Sequence, residues 1–153
     1  MKLAEGLSLR KDLQTRVAQL KERLMNNSKV YEGDEPMEKP EELMKELDRC
    51  LNQLEKLIFR INKTNMQVVS PSGKTLTQLM AERDVLKVRV GILRDVFNYA
   101  SSKIDRYSRT EIKYVSVIDT IGLGKQVDKL SQQYRELDMD IQALNFTTEL
   151  LEL

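Results

Sequence analysis

The sequence predicts a mainly α-helical protein built from four long helices, with a short β element. Apolar residues recur at alternating steps of three and four in four long segments. Charged residues make up 32% of the chain and aromatic residues 5%, which suits long, solvent-exposed helices. The clearest repeat predicts a helix packed along a narrow seam, which continues through Thr148 to Leu151. Its earlier members are Leu123, Val127, Leu130, Tyr134, Leu137, Ile141 and Leu144.

The first helix is predicted from Lys2 to about Asn27, along a stripe of Leu9, Leu13, Val17, Leu20 and Leu24. The segment that follows carries Gly33 and two prolines, which break a helix. Pro40 suits the first position of a new helix, and the two glutamates after it favour the positive end of the helix dipole. The second helix is therefore expected to begin near residue 40 and to end near Lys63.

A short β-hairpin is predicted near residues 66–76, pairing residues 67–69 with residues 74–76. Ser70, Pro71 and Gly73 suit positions i, i+1 and i+3 of a type I turn. Thr75 and Gln78 then form a capping-box pattern that opens the third helix. The stripe of this helix has one strongly polar member and consists of Leu79, Arg83, Leu86, Val90, Leu93, Phe97, Ala100 and Ile104.

The seven-residue repeat stops between Asp105 and Asp119. This segment is rich in β-branched and aromatic residues, which favour a pleated conformation. It predicts a loop that enters a short strand near residues 112–118. Asp119 is expected to cap the fourth helix, although Gly122 and Gly124 weaken its first turns.

The four stripes predict that the helices associate. Full burial of a leucine, isoleucine or valine side chain contributes roughly 1.5–3 kcal/mol, so each helix needs an apolar partner. An antiparallel bundle or two coiled-coil hairpins, within a single domain over residues 1–153, would meet this need. Both arrangements leave surface for self-association, and we therefore predict a homo-oligomer.

Catalysis is not expected from this composition. The chain has no histidine, which is the usual general base and the commonest metal ligand. Its one cysteine, Cys50, cannot form an internal disulfide. Residues 72–75 resemble the end of a phosphate-binding P-loop, but Val68 stands where the first glycine is required. We predict no enzyme activity, no catalytic residue, no metal site and no cofactor.

The termini and hydropathy predict a cytoplasmic protein. An acidic residue and a glycine interrupt residues 1–6 before an apolar run can develop, so no signal peptide is expected. No run approaches the ~18 apolar residues of a transmembrane helix. The formal net charge is +1, so any electrostatic partner must be met by a local patch.

Two places are candidate sites for a ligand or an interface. Arg83 interrupts the apolar stripe of the predicted third helix, beside Asp84. Structural pairing of Arg83 with a carboxylate is favoured over ligand binding. The second is the basic and aromatic segment 103–114, whose candidate residues are Arg106, Tyr107, Arg109, Glu111 and Lys113. Its cations and rings are typical of a site for nucleic acid or a phosphorylated ligand. A loop packed on a neighbouring subunit is the favoured interpretation.

Several motifs resemble the septicolysin-like family of small bacterial proteins, over nearly the whole chain. They are MKLAE at residue 1, VYEGDEP at 30, RINKTN at 60, GKTLT at 73, AERDVL at 81, RYSRTEIK at 106, YRELD at 134 and IQALNF at 141. Phe146 stands where that family usually has tryptophan. The family name implies a pore-forming haemolysin, but the helices carry both charge signs beside a narrow leucine seam, which suits another helix better than a bilayer. The predicted function is a helical scaffold that self-associates, with ligand binding by residues 103–114 as the alternative.

Overall fold

The computed structural model describes residues 1–102 and 112–153, and four long helices make up most of this range. They are α1 (Leu3–Asn26), α2 (Pro40–Gln67), α3 (Leu76–Ser101) and α4 (Thr120–Thr147). The predicted four-helix, mainly α class is confirmed, and the helices pack in pairs. Pro40 is the first residue of α2, as its fixed φ angle and missing N–H group favour.

The chain divides into two compact units. The first contains Met1–Thr75 with Ala143–Leu153, and the second contains Leu76–Gln142. Because nothing tests the prediction of a single domain over residues 1–153, it stays a prediction. Each unit contains one antiparallel pair of helices.

In the first unit, α1 packs against α2. Arg16 lies near Glu46 of α2, whereas Arg23, further along α1, pairs with Glu38 just before α2 begins. This order of contacts makes the two helices antiparallel. Their apolar core is formed by Leu3, Leu13, Leu20, Leu43, Cys50, Leu57, Ile61 and Leu150.

In the second unit, α3 packs against α4. Arg94 Nη2 in α3 donates a hydrogen bond to Ser131 Oγ in α4 across 3.2 Å. Phe97, one turn later, lies against Gly124, where an added Cβ would come within 3.1 Å of the ring. The buried apolar residues of this pair are Leu76, Leu79, Val90, Leu123, Val127 and Ile141.

The start of α4 agrees with the predicted cap. Asp119 Oδ1 accepts a hydrogen bond from the backbone N–H of Gly122 across 3.1 Å. A side chain at residue 122 would collide with that carboxylate, and one at residue 124 would crowd Phe97. The two glycines therefore make room for the cap and for helix packing.

The predicted hairpin near residues 66–76 is present in a shortened form. The turn is closed by a hydrogen bond from Gly73 N to Ser70 O of 2.9 Å, and Gly73 has a φ of +82° that favours glycine. Pairing takes the form of one antiparallel bridge between Val69 and Thr75, because α2 ends at residue 67 and α3 begins at residue 76, the outermost residues of the predicted strands.

The prediction of a strand near residues 112–118 is wrong. Residues 112–119 form neither helix nor strand, and all are exposed. A strand requires a neighbouring backbone to supply a ladder of hydrogen bonds, and residues 113–118 form no such ladder with the described part of the chain. High β-propensity alone does not supply that partner.

The C-terminal residues also depart from expectation. The heptad pattern predicts that the fourth helix continues to Leu151, but α4 ends at Thr147. Beyond it, Thr148 O accepts a hydrogen bond from Leu3 N, and Leu150 N donates one to Met1 O. Leu150 is buried beside Gly6, which Leu57 also approaches, so this leucine occupies the core of the first unit.

Candidate interaction face of α3

Helix α3 carries apolar residues on two opposite faces. One face is the predicted stripe, whose members Leu79 and Val90 are buried. The other, which we call the second stripe, follows steps of four, three, four and seven and consists of Ala81, Val85, Val88, Ile92 and Tyr99. At 3.6 residues per turn these five positions fall together, on the side of α3 away from Leu79 and Val90.

The second stripe is open to solvent. Val85 is 63% exposed, Val88 is 61% exposed and Ile92 is 57% exposed. Single exposed apolar residues are ordinary on protein surfaces, whereas a contiguous apolar patch marks an interaction surface. Helix α4 covers one face of α3 and leaves the second stripe uncovered.

A groove of about 590 Å³ runs between α3 and α4, next to the second stripe. Ala81 and Val85 belong to both features. The groove has an apolar lining with two charged residues, Glu82 and Arg89, which are opposite in sign and one heptad apart. The remaining lining residues are Leu86, Leu130, Gln133 and Leu137.

Arg83 is paired within the second unit. Its Nη1 donates a hydrogen bond to Asp138 Oδ1 of α4 across 3.3 Å, and its Nε donates one to Asp84 Oδ1 across 3.2 Å. The Arg83 side chain is 22% exposed and does not line the groove. Its geometry supports structural pairing, the interpretation favoured from the sequence.

The basic and aromatic candidates lie mostly outside the described residues. This holds for Arg106, Tyr107, Arg109 and Glu111. Lys113 is described and exposed, and it makes no hydrogen bond or ion pair with Arg83 or Asp84. Binding of nucleic acid or a phosphorylated ligand by residues 103–114 therefore stays a prediction.

Two carboxylates of the first unit have a pKa below the usual value for glutamate. A hydrogen bond from Lys2 is the main cause of the lowered pKa of Glu149, with the positive charges of Lys2 and the amino terminus adding to it. A hydrogen bond from Arg23 similarly lowers the pKa of Glu38. Glu149 joins segments that are distant in sequence, whereas Glu38 joins the last turn of α1 to the segment just before α2. Both pairs have a structural role.

Metal ligands are not gathered in the described part of the chain. Residues 1–102 and 112–153 contain no group of three or more cysteine, aspartate or glutamate side chains placed to hold a metal ion. Cys50 is buried in the core of the first unit. The second stripe with its adjacent groove is a surface feature that these residues do offer.

Comparison with known proteins places the chain in a family. A family model described as "Family of unknown function (DUF6847)" matches residues 10–150. The chain belongs to the DUF6847 family. It is also similar to a protein of known crystal structure, described as a functionally unknown conserved protein from Corynebacterium diphtheriae, with 40% identity, 99% coverage of each chain and a TM-score of 0.84. No curated protein matches it.

Membership of DUF6847 corrects the resemblance drawn from short motifs. The assignment to the septicolysin-like family is wrong, because the matching family model and the crystal structure have no link to septicolysin. Short charged and aliphatic motifs on amphipathic helices occur in many helical proteins and identify a family poorly. Among residues 1–102 and 112–153, no helix of this DUF6847 protein combines the length and hydropathy that crossing a bilayer requires.

The second stripe was missed in the sequence, although its signal is present there. Val85, Val88 and Ile92 have the same three-and-four spacing as the predicted stripe of α3. One stripe per helix was assumed, which is correct for a helix with a single partner. A search for a second heptad phase in α3 would have found it.

Proposed function

We propose that this DUF6847 protein is a non-catalytic helical scaffold that self-associates through the second stripe of α3. One observation carries the proposal: Val85, Val88 and Ile92 are exposed at heptad spacing on a helix whose opposite face already packs on α4. A narrow apolar stripe of this kind fits the apolar stripe of another helix.

The physical basis is burial of apolar surface. Fully burying one valine or isoleucine side chain contributes roughly 1.5–3 kcal/mol. Two copies that join along the second stripe would bury three such residues each, before any contact in the groove. Loss of translational and rotational freedom opposes association by an estimated 4–15 kcal/mol, so a concentration-dependent oligomer is the expected outcome.

The composition of the chain supports the non-catalytic part of the proposal. There is no histidine to act as a general base near neutral pH. Arg83, on the face of α3 that packs on α4, forms ion pairs with Asp84 and Asp138. The only cysteine lies in the core.

Sedimentation equilibrium and light scattering over a range of protein concentrations test the proposal. The wild-type chain is expected to oligomerise, and Val88→Asp is expected to shift it to monomer because a carboxylate would enter the apolar seam. Val69→Asp is the matched control, since Val69 is 59% exposed and lies on the hairpin turn, in the other unit. Circular dichroism checks that both variants keep their helices.

Two results would overturn the proposal. A wild-type chain that stays monomeric at every concentration would reject self-association. An oligomer that survives both Val85→Asp and Val88→Asp, with helices intact, would place the contact elsewhere on the surface.

A further inference from the structure

We propose that two copies of this chain pair through α3 in an antiparallel orientation, in the one register that brings Glu82 of each copy to Arg89 of the other. This inference rests on the proposed self-association and specifies its partner and geometry. The occupant of the second stripe is thus the same helix of a second copy.

The heptad positions of the second stripe define the contacts available. With Val85 and Ile92 at position a, Ala81, Val88 and Asp95 fall at position d. Glu82 and Arg89 then occupy position e, on the flank that lines the groove. Position g is held by Asp84 and Gly91. In coiled coils, e and g residues set the partner and orientation by their charges.

In one antiparallel register, each a residue of one helix faces a compatible d residue of the other helix. Val85 of one copy then packs on Val88 of the second, and Ala81 packs on Ile92. Antiparallel helices bring e positions to e positions, so Glu82 meets Arg89 at both ends of the two-fold contact. Asp95 lies opposite Gln78, at the edge of the overlap, where both side chains reach solvent.

The neighbouring registers are disfavoured by like charges. A shift of one heptad in one direction places Glu82 against Glu82 and Val88 against Gln78. The opposite shift places Arg89 against Arg89 and brings Asp95 onto Val85. Like-charged or unpaired ionised groups in a seam are destabilising.

A parallel pair is disfavoured for a different reason. It would retain one attractive contact, from Asp84 to Arg89, because parallel helices bring g to e. It would also place Asp95 directly against Asp95 of the second copy inside the seam. The antiparallel register has the attractive contact between Glu82 and Arg89 and does not bring the two Asp95 side chains together.

The groove favours the same side of α3. Because Glu82 and Arg89 both line it, a second α3 that meets them lies partly over the groove. Leu130 and Leu137 of α4 would then contact the incoming helix and extend the apolar interface. The charged pairs remain near solvent, so they select the orientation more than they raise the affinity.

Charge reversal tests the register. Glu82→Arg and Arg89→Glu each place like charges at both ends and are expected to weaken the dimer about tenfold, whereas the double variant restores the opposite pairing and most of the affinity. Lys87→Glu is the control, since Lys87 is exposed on α3 outside the stripe and the groove. The register would be overturned if the double variant dimerised as weakly as the single variants, or if Glu82→Arg left the dimer affinity unchanged.

A distance measurement tests the orientation separately. A spin label at Tyr99, which is exposed, in a Cys50→Ala background would be separated from its counterpart by about 38 Å along the axis in the antiparallel register, at 1.5 Å per residue. Parallel helices would bring the labels to within roughly 10–20 Å. A short distance in an intact dimer would overturn the orientation and leave the proposed function standing, whereas a monomeric wild type would remove both.

Discussion

Arg83 in α3 and Asp138 in α4 form an ion pair, with Nη1 and Oδ1 separated by 3.3 Å. Asp84, the residue after Arg83, accepts a second hydrogen bond from the same guanidinium. Arg83, the polar residue in the face of α3 that packs on α4, is thus paired with a carboxylate of α4. This pair shows which turn of α3 lies against which turn of α4.

Disruption of this pair tests how strongly it couples the two helices. In a double-mutant cycle of Arg83→Met and Asp138→Asn, we expect a coupling free energy of about 0.2–1 kcal/mol, because the Asp138 side chain is 38% exposed and water screens the interaction. Urea denaturation of the four proteins measures it. A coupling above about 3 kcal/mol would show instead that the pair behaves as a desolvated one.

The hydrogen bonds of Thr64 are expected to affect stability more than the Arg83 pair does, because Thr64 is fully buried. Its Oγ1 donates to Arg60 O across 2.7 Å and accepts from Leu151 N across 3.0 Å. Thr64→Val leaves the Leu151 N–H without this acceptor and should lower the free energy of unfolding by about 1–3 kcal/mol.

Thr147→Val is the matched control for Thr64→Val. Thr147 is exposed, and its Oγ1 also donates to the carbonyl four residues earlier. This hydroxyl group, unlike that of Thr64, accepts no hydrogen bond from a distant segment among the described residues. Denaturant unfolding should show little change for this variant. Equal losses for the two variants would mean that the contact from Thr64 to Leu151 contributes nothing.

Leu150 anchors the C-terminal segment in the core of the first unit. Leu150→Ala removes a buried side chain that lies against Gly6, and a loss of about 2–5 kcal/mol is expected. Leu153→Ala, at an exposed leucine three residues later, should change stability by less than about 0.5 kcal/mol. Thermal unfolding of the two variants compares them directly, and a small effect at residue 150 would contradict docking of this segment.

The bond between Lys2 and Glu149 predicts a dependence on pH. The pKa of Glu149 is lower in the folded chain than its ordinary value, chiefly because Lys2 donates a hydrogen bond to it. The contribution of this carboxylate is therefore present above the ordinary pKa of glutamate, about 4.3, and is lost as the pH falls through the lower folded value.

Glu149→Gln isolates that dependence. The difference in stability between wild type and Glu149→Gln should be largest near neutral pH and should shrink as the pH falls below about 4. Glu55→Gln, at an exposed position without an ion pair among the described residues, serves as the control. A difference for Glu149→Gln that stays constant down to pH 2 would contradict the assignment.

The heptad pattern predicted the helices well because local sequence determines them. Pro40 and Asp119 mark the starts of α2 and α4 through local bonding rules. The end of α2 was predicted too early, near Lys63, whereas the helix continues to Gln67. In the structure Thr64 is a core residue whose hydroxyl group bonds to backbone atoms.

Contacts between distant residues were less accessible from the sequence. Nothing local indicates that Leu150 joins the core beside Gly6, because such a contact depends on how two ends of the chain meet. The strand near residues 112–118 failed for the same reason, since β-propensity does not reveal whether a partner strand exists. The pairing of Arg83 was anticipated in kind, but its partner on α4, Asp138, required the structure.

The ion pairs of Glu149 with Lys2 and with the amino group of Met1 have a consequence for how the chain folds. The Met1 nitrogen lies 3.5 Å from Glu149 Oε2, although 148 positions separate the two residues. Closing so large a loop has a high entropic cost, whereas α1 and α2 meet through a short connection. We expect the α1–α2 hairpin to form early, and the two chain ends to join it last and to be the first to release it.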